Sequence, residues 1–106
     1  MASFEDFKKL EIKIAKIKEV NDHPNADRLY VLTIDVGDNT KQIVAGIKNF
    51  YKKEDLIGRE IVVVNNLDSV LLRGVESQGM LLAASDEKGV SIITPDRAVS
   101  IGSIVK

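Results

Sequence analysis

Apolar and polar residues alternate from Leu10: Leu10, Ile12 and Ile14 are apolar while Glu11 and Lys13 are polar, the period of a half-buried strand. The alternation slips at Ala15–Lys16, because the next large apolar residue, Ile17, is out of phase. Such a slip predicts a β-bulge and a strand, running to about Val20, that bends sharply. Asn21 to Asp27 is a polar loop dense in turn-formers. A second strand is expected over about Leu29–Val36, a hairpin turn at Gly37-Asp38-Asn39, and a third strand over Lys41–Ala45 that Gly46 ends. Asn49–Leu56 reads as a short helical connection closing near Gly58. Glu60–Asn65 is a fourth strand whose Ile61–Val64 run is apolar on both faces and therefore buried. After an irregular segment, Gly79–Ala84 is the fifth. Val90–Ile93 and Val99–Val105 are short extended pieces around Pro95. Ahead of all this, Ser3 caps one or two helical turns through Leu10, with Glu5 and Asp6 near the positive end of the helix dipole. Phe4 and Phe7 share a face of that helix, packed on the core or on a partner.

Five strands, a bent first strand and a helix between the third and fourth predict an all-β chain: a five-stranded Greek-key OB-fold barrel with short helices and a C-terminal extension. The strand count alone also permits an SH3-like barrel or a small sandwich; the helix placement favours OB. With 106 residues, no internal repeat and no linker, a single domain over 1–106 is expected.

Composition narrows the chemistry. Cysteine is absent and there is one histidine, so disulfides, thiol chemistry and a His-based pair or zinc site are hard to build. His23 precedes Pro24 in a loop, reads as a turn or surface residue, and has no nucleophile paired with it by a local signature. The glycines form no phosphate-binding loop: Gly74 and Gly79 lack the following Lys-Ser/Thr. The expectation is a non-catalytic chain with no catalytic residues, no metal and no cofactor. The apolar runs are far short of the ~20 residues a membrane span requires, and the first residues lack the pattern of a signal peptide. No membrane partner and a cytoplasmic location are expected.

Charge is less directive. A formal net charge of −1 argues against a polycation that coats nucleic acid. Lys8, Lys9, Lys13, Lys16 and Lys18 nevertheless place five of 15 basic residues within a short stretch. Arg28 and Lys41 could extend that surface into a stripe that tracks phosphates. A solvated face with lysines guarding a strand edge explains the same pattern. Leu71 to Met80 sets two glycines around a polar stretch, suiting a rigid loop in which Ser77 hydrogen-bonds and Met80 offers a soft apolar face. On the residues alone both are read as structural.

The motifs together reach a family. His23-Pro24-Asn25-Ala26-Asp27-Arg28-Leu29 is similar to H-P-x-A-D-K/R-L, and Gln42–Ile47 to R/Q-I/V-V-S/A-G-I/L. Tyr51 through Arg59 resembles Y-x-x-E-E/D-L-x-G-K/R. Asn66-Leu67 and Arg73–Ala84 complete the order. Over Phe7–Ala84 the chain thus resembles the tRNA-binding domain at the C-terminus of methionyl-tRNA synthetases, in free-standing dimeric tRNA-binding proteins and in the endothelial-monocyte-activating polypeptide II group.

The resemblance implies binding of tRNA by shape at the outer corner of its L, as a dimeric accessory domain or subunit of methionyl-tRNA synthetase. Shape and 2′-hydroxyl contacts do not require a basic chain. By motif, Arg28 would contact phosphate while Ser77 and Met80 line the RNA surface, with Asn25, Lys41 and Arg73 as further RNA-binding residues. A homodimer would use Phe4, Phe7 and the piece after Val90, and the synthetase catalytic subunit would be a partner. The alternative is a dimeric OB-fold chaperone for unfolded polypeptides. The chain departs from the family pattern at three places: Ala15 stands at the strand-one bulge where glycine is usual, Asp68–Leu72 lacks the usual proline and lysine, and Ser100-Ile101-Gly102 lacks the proline often found before that glycine.

Overall fold

The computed structural model describes residues 1–106. After α1 (Phe4–Lys8) the strands are β1 (Ile12–Asp22), β2 (Tyr30–Asp35) and β3 (Thr40–Ala45). Helix α2 (Lys53–Leu56) precedes β4 (Glu60–Val64), β5 (Val70–Leu72), β6 (Val75–Ser77), β7 (Met80–Leu81), β8 (Ala83–Asp86) and β9 (Gly89–Ile92). Five strands form one antiparallel sheet in the order β3-β2-β1-β4-β7, while β5-β6 and β8-β9 are separate hairpins. The sheet curls until its two ends nearly meet, which makes it the OB-type barrel expected. A backbone bond and side-chain bonds, rather than a full ladder, bridge the gap. The Gln78 N–H donates to Gln42 O at 2.8 Å, Gln42 N–H to Gln78 Oε1 at 2.9 Å, and Val44 N–H to Ser77 Oγ at 2.9 Å.

β1 is buried on both faces, and this explains the slip in its pattern. Ala15 and Ile17 point into the barrel with Leu32, Ile34, Ile43, Ile61 and Val63. Ile12 and Ile14 point outward with Val62 and Val64, under Leu82, Val99, Ile101 and Val105. The tail that covers them is bonded along β1: Ile14 N–H to Ser103 O, Gly102 N–H to Ile14 O, and Val105 N–H to Ile12 O, at 2.8 to 2.9 Å. Thus no bulge exists at Ala15–Lys16, where the pairing with β4 runs unbroken from Ile12 to Lys16. The register shift lies between Ile17 and Glu19, opposite β2. The extra residue there flips the phase, so that Val20 joins the inner core. Ala15 therefore sits in a regular strand, and its departure from glycine does not bear on the bend. The tail crosses the β2–β3 turn closely enough that a Cβ on Gly37, at φ +107°, would lie 2.9 Å from Gly102 Cα.

Other expectations are corrected in detail. The connection after β3 is helical only over Lys53–Leu56, anchored by the buried Leu56. The segment read as irregular before Gly79 contains the β5-β6 hairpin, and the fifth strand is divided at Leu82, whose N–H still donates to Val62 O at 2.9 Å. Ser3 caps α1 as expected: its Oγ accepts the Asp6 N–H and Asp6 returns a bond to the Ser3 N–H. Phe4 and Phe7, however, rest on no core. They are 72% and 40% exposed.

Candidate nucleic-acid interface

The loop between β1 and β2 meets the β5-β6 hairpin at one corner of the barrel, the place where OB-folds present ligand-binding loops. The hairpin turn is Arg73-Gly74, with φ of +53° and +88°, flanked by the pair Leu72 and Val75. Two positive φ values in a two-residue loop make a type I′ turn, whose hand matches strand twist. For Arg73 that conformation costs about 1 kcal/mol, offset where its groups are held. Asn25 Nδ2 donates to Arg73 O at 3.2 Å, and Arg73 Nη2 donates to Asn25 O at 3.3 Å.

His23 fastens the same junction from beneath. Its ring is buried, not on the surface as the sequence suggested. Nδ1 accepts the Asn25 N–H at 2.9 Å, which assigns the proton to Nε2, and Nε2 donates to Leu72 O at 2.8 Å. A histidine preceding proline in a polar stretch carries no signal of burial; the partner that buries it lies 49 residues away.

Arg28 is exposed on this corner, in an open depression of about 400 Å³ lined also by Asn25, Ala26, Asp27, Leu29 and Arg73. Its carbonyl accepts the Lys48 N–H at 3.4 Å, joining the loop to the end of β3. There a second depression of about 220 Å³ is almost wholly apolar, with Val44, Ile47, Met80, Leu81 and Val90 in its walls. Met80 is about half exposed. The structure thus gathers Asn25, Arg28 and Arg73 in one depression and puts Met80 in the neighbouring one.

Ser77 and Lys41 are placed differently. Ser77 is 3% exposed, and its Oγ accepts from Val44 N–H and donates to Gly79 O at 3.0 Å. Its hydroxyl is occupied by barrel closure and offers no free surface, contrary to the expectation that it lines one. Lys41 stands at the other end of β3, where its Nζ donates to Asn65 O at 2.7 Å. It does not join the Arg28 cluster. Asn65 was not singled out from sequence, and no local pattern would have found it: its Nδ2 donates to Glu11 Oε1 from 54 residues away.

Three lysines of the stripe are paired within the chain, as are two lysines outside it. Lys13 is half-buried between Glu11 and Asp38, Lys8 and Lys9 face Glu5 and Asp6, and Lys48 and Lys53 both hold Asp22 at 3.1 Å. Bonds from Lys48 and Lys53 keep the Asp22 carboxyl below the ordinary carboxylate range, and the Asn65 amide, with Lys13 and Lys41, does the same to Glu11. No three or more His, Asp or Glu side chains cluster to hold a metal ion, and no helix is long and apolar enough to cross a membrane.

Residues 12–104 match the model of the tRNA binding domain family. Over 104 residues the chain is 53% identical to methionine–tRNA ligase of Thermococcus kodakarensis, covering 98% of this chain but 14% of that one. The chain thus spans about one-seventh of the curated relatives it matches. A methionyl-tRNA synthetase-related protein from Pyrococcus horikoshii superposes with a TM-score of 0.91 at 32% identity, covering 100% of this chain and 98% of the other. The CsaA chaperone protein from Picrophilus torridus superposes at 0.92 with 34% identity, each chain wholly covered.

Proposed function

The chain belongs to the tRNA-binding domain family, and on that premise we propose that it grips tRNA through the Arg28 corner without catalysing a reaction. The observation that carries this reading is the Asn25–Arg73 clasp, which closes one side of the depression where Arg28 is exposed on the ligand corner of an OB barrel. Arg28 and Arg73 supply phosphate contacts, and Met80 an apolar contact beside them. Ser77 acts indirectly, by fixing β6 against β3. Because the net charge is −1 and Lys8, Lys9, Lys13, Lys48 and Lys53 are paired with carboxylates of the chain, contact is local and shape-dependent rather than a general attraction to phosphate.

By its relationship to methionine–tRNA ligases, the chain works in the cytoplasm as a single accessory domain or subunit that raises the local concentration of tRNA near a synthetase catalytic subunit. The exposed Phe4 and Phe7 supply a homodimer contact. The tail after Val99 is largely spent covering β1 and β4 of its own chain, leaving Ile93 and Ile104 as its exposed apolar side chains. Sedimentation of the wild type beside Phe4→Ser/Phe7→Ser tests the dimer; a monomeric wild type excludes it.

A gel-shift series with bulk tRNA, duplex DNA and an unfolded protein, repeated across salt, tests the ligand. tRNA of several identities should bind with micromolar affinity that weakens with salt. Equal affinity for duplex DNA, or none for tRNA, would falsify the reading. One observation favours a chaperone as the second reading: the apolar depression at Met80, in a fold shared with CsaA. Binding of the unfolded protein, insensitive to salt and without tRNA binding, would establish it.

A further inference from the structure

We infer that the apolar depression beside Met80 receives the face of one unpaired nucleobase of the tRNA whose phosphates Arg28 holds. This rests on the tRNA reading above and deepens it. A paired helix offers phosphates, sugars and groove edges, none of which gains from apolar walls, whereas an unstacked base has a broad face to remove from water. The depression has such walls, with Met80 supplying a flexible, polarisable thioether suited to a flat ring.

The pocket adjoins the cationic corner. Leu29 lines the Arg28 depression, and a Cβ on Gly46 would meet Leu29 Cδ2 at 3.6 Å. Leu29 and Gly46 therefore form the wall shared by the two depressions, so one nucleotide can place its phosphate on one side and its base on the other. The Gly46 N–H donates to no group of the chain, and a base carbonyl or ring nitrogen is the acceptor complementary to it. Gly46 is exposed, and no φ in the left-handed range obliges it to be glycine. A larger side chain there adds bulk at the rim of the depression without straining the backbone.

The test compares the wild type with Gly46→Ala, Gly46→Leu and Arg28→Glu. The probes are tRNA transcripts carrying 2-aminopurine at single unpaired positions, a blunt RNA duplex of similar charge, and an unfolded polypeptide as competitor. At one labelled position, fluorescence should change on binding to the wild type and to Gly46→Ala, and this change should vanish with Gly46→Leu. The same substitution should weaken tRNA binding by at least about fivefold, the worth of one base stack, and leave the weak duplex binding unchanged. Wild-type tRNA affinity for a folded Gly46→Leu protein overturns the inference; if Arg28→Glu still weakens binding, the tRNA reading survives that failure. Equal loss toward tRNA and duplex, or displacement of the fluorescent signal by the polypeptide, also overturns it. Failure of the wild type to prefer tRNA over the duplex refutes the underlying reading itself.

Discussion

Two apolar surfaces lie on the outside of the same barrel and have met different fates. On β1 and β4, Ile12, Ile14, Val62 and Val64 are sealed beneath the C-terminal tail. Around the end of β3, Val44, Met80 and Val90 border a depression that nothing in the chain fills. Both are apolar; what differs is that the tail covers the first, while no residue of 1–106 covers the second. Apolar residues on both faces of a strand thus mean burial where a tail returns.

The comparison can be broken most forcefully at the sealed surface. Removing Val99–Lys106 uncovers the β1–β4 outer face and deletes Val99, Ile101 and Val105. At roughly 1.5–3 kcal/mol for each buried side chain, the loss should reach most of the stability of a domain this size, about 5–15 kcal/mol. Thermal melting should show a cooperative transition lost or lowered by tens of degrees. A melting curve like that of the intact chain would mean that the tail is only an ornament.

Next in size is the seam that separates the open depression from the barrel interior. Ser77→Ala leaves the Val44 N–H without its acceptor, at a cost of about 1–3 kcal/mol, read from denaturant midpoints. Affinity for tRNA should fall less than stability if Ser77 only positions β6; a large affinity loss in a protein of unchanged stability would make it a contact residue.

Binding separates the two ends of β3. Arg28→Glu should weaken tRNA binding about tenfold or more and reduce the slope of log affinity against log salt by about 1 for the lost phosphate contact. Lys41→Glu, at the far end, should leave both nearly unchanged. Equal effects from the two variants would return the site to a diffuse basic stripe.

The smallest effect is electrostatic. Asp22 and Glu11 are held below the ordinary carboxylate range by their partners, so their contribution is complete above about pH 4–5 and is lost as pH falls through the lowered folded values. Stability should be flat from neutrality to that point and then decline. Asp22→Asn with Glu11→Gln should be less stable at neutral pH and decline less steeply in acid.

Much of the barrel was legible because its strands carry their own signals: the turn-formers that bound β2, the Gly37 turn, the doubly apolar β4. The bulge was misplaced because period-2 reasoning assumes one wet face, and the tail removed that wet face from β1. The β5-β6 hairpin escaped notice because its turn is Arg-Gly rather than the usual Asn-Gly or Asp-Gly pair. For the corner, family motifs pointed to Arg28, Arg73 and Met80. They could not show that Ser77 is internal, that Lys41 is tied to Asn65, or that His23 is a fastening. Each of those facts depends on a partner 24 to 49 residues away.

The Asn25–Arg73 clasp carries a consequence for time as well as shape. It spans 48 residues, and the seam at Ser77 and Gln78 closes only when β6 lies against β3. Contacts of such long separation form late, after the intervening loop has been closed. A chain still on the ribosome, with β6 not yet emerged, has Arg28 but no corner to hold it. On the tRNA reading proposed above, competence for RNA therefore arrives late in folding, rather than growing with the length of polypeptide made.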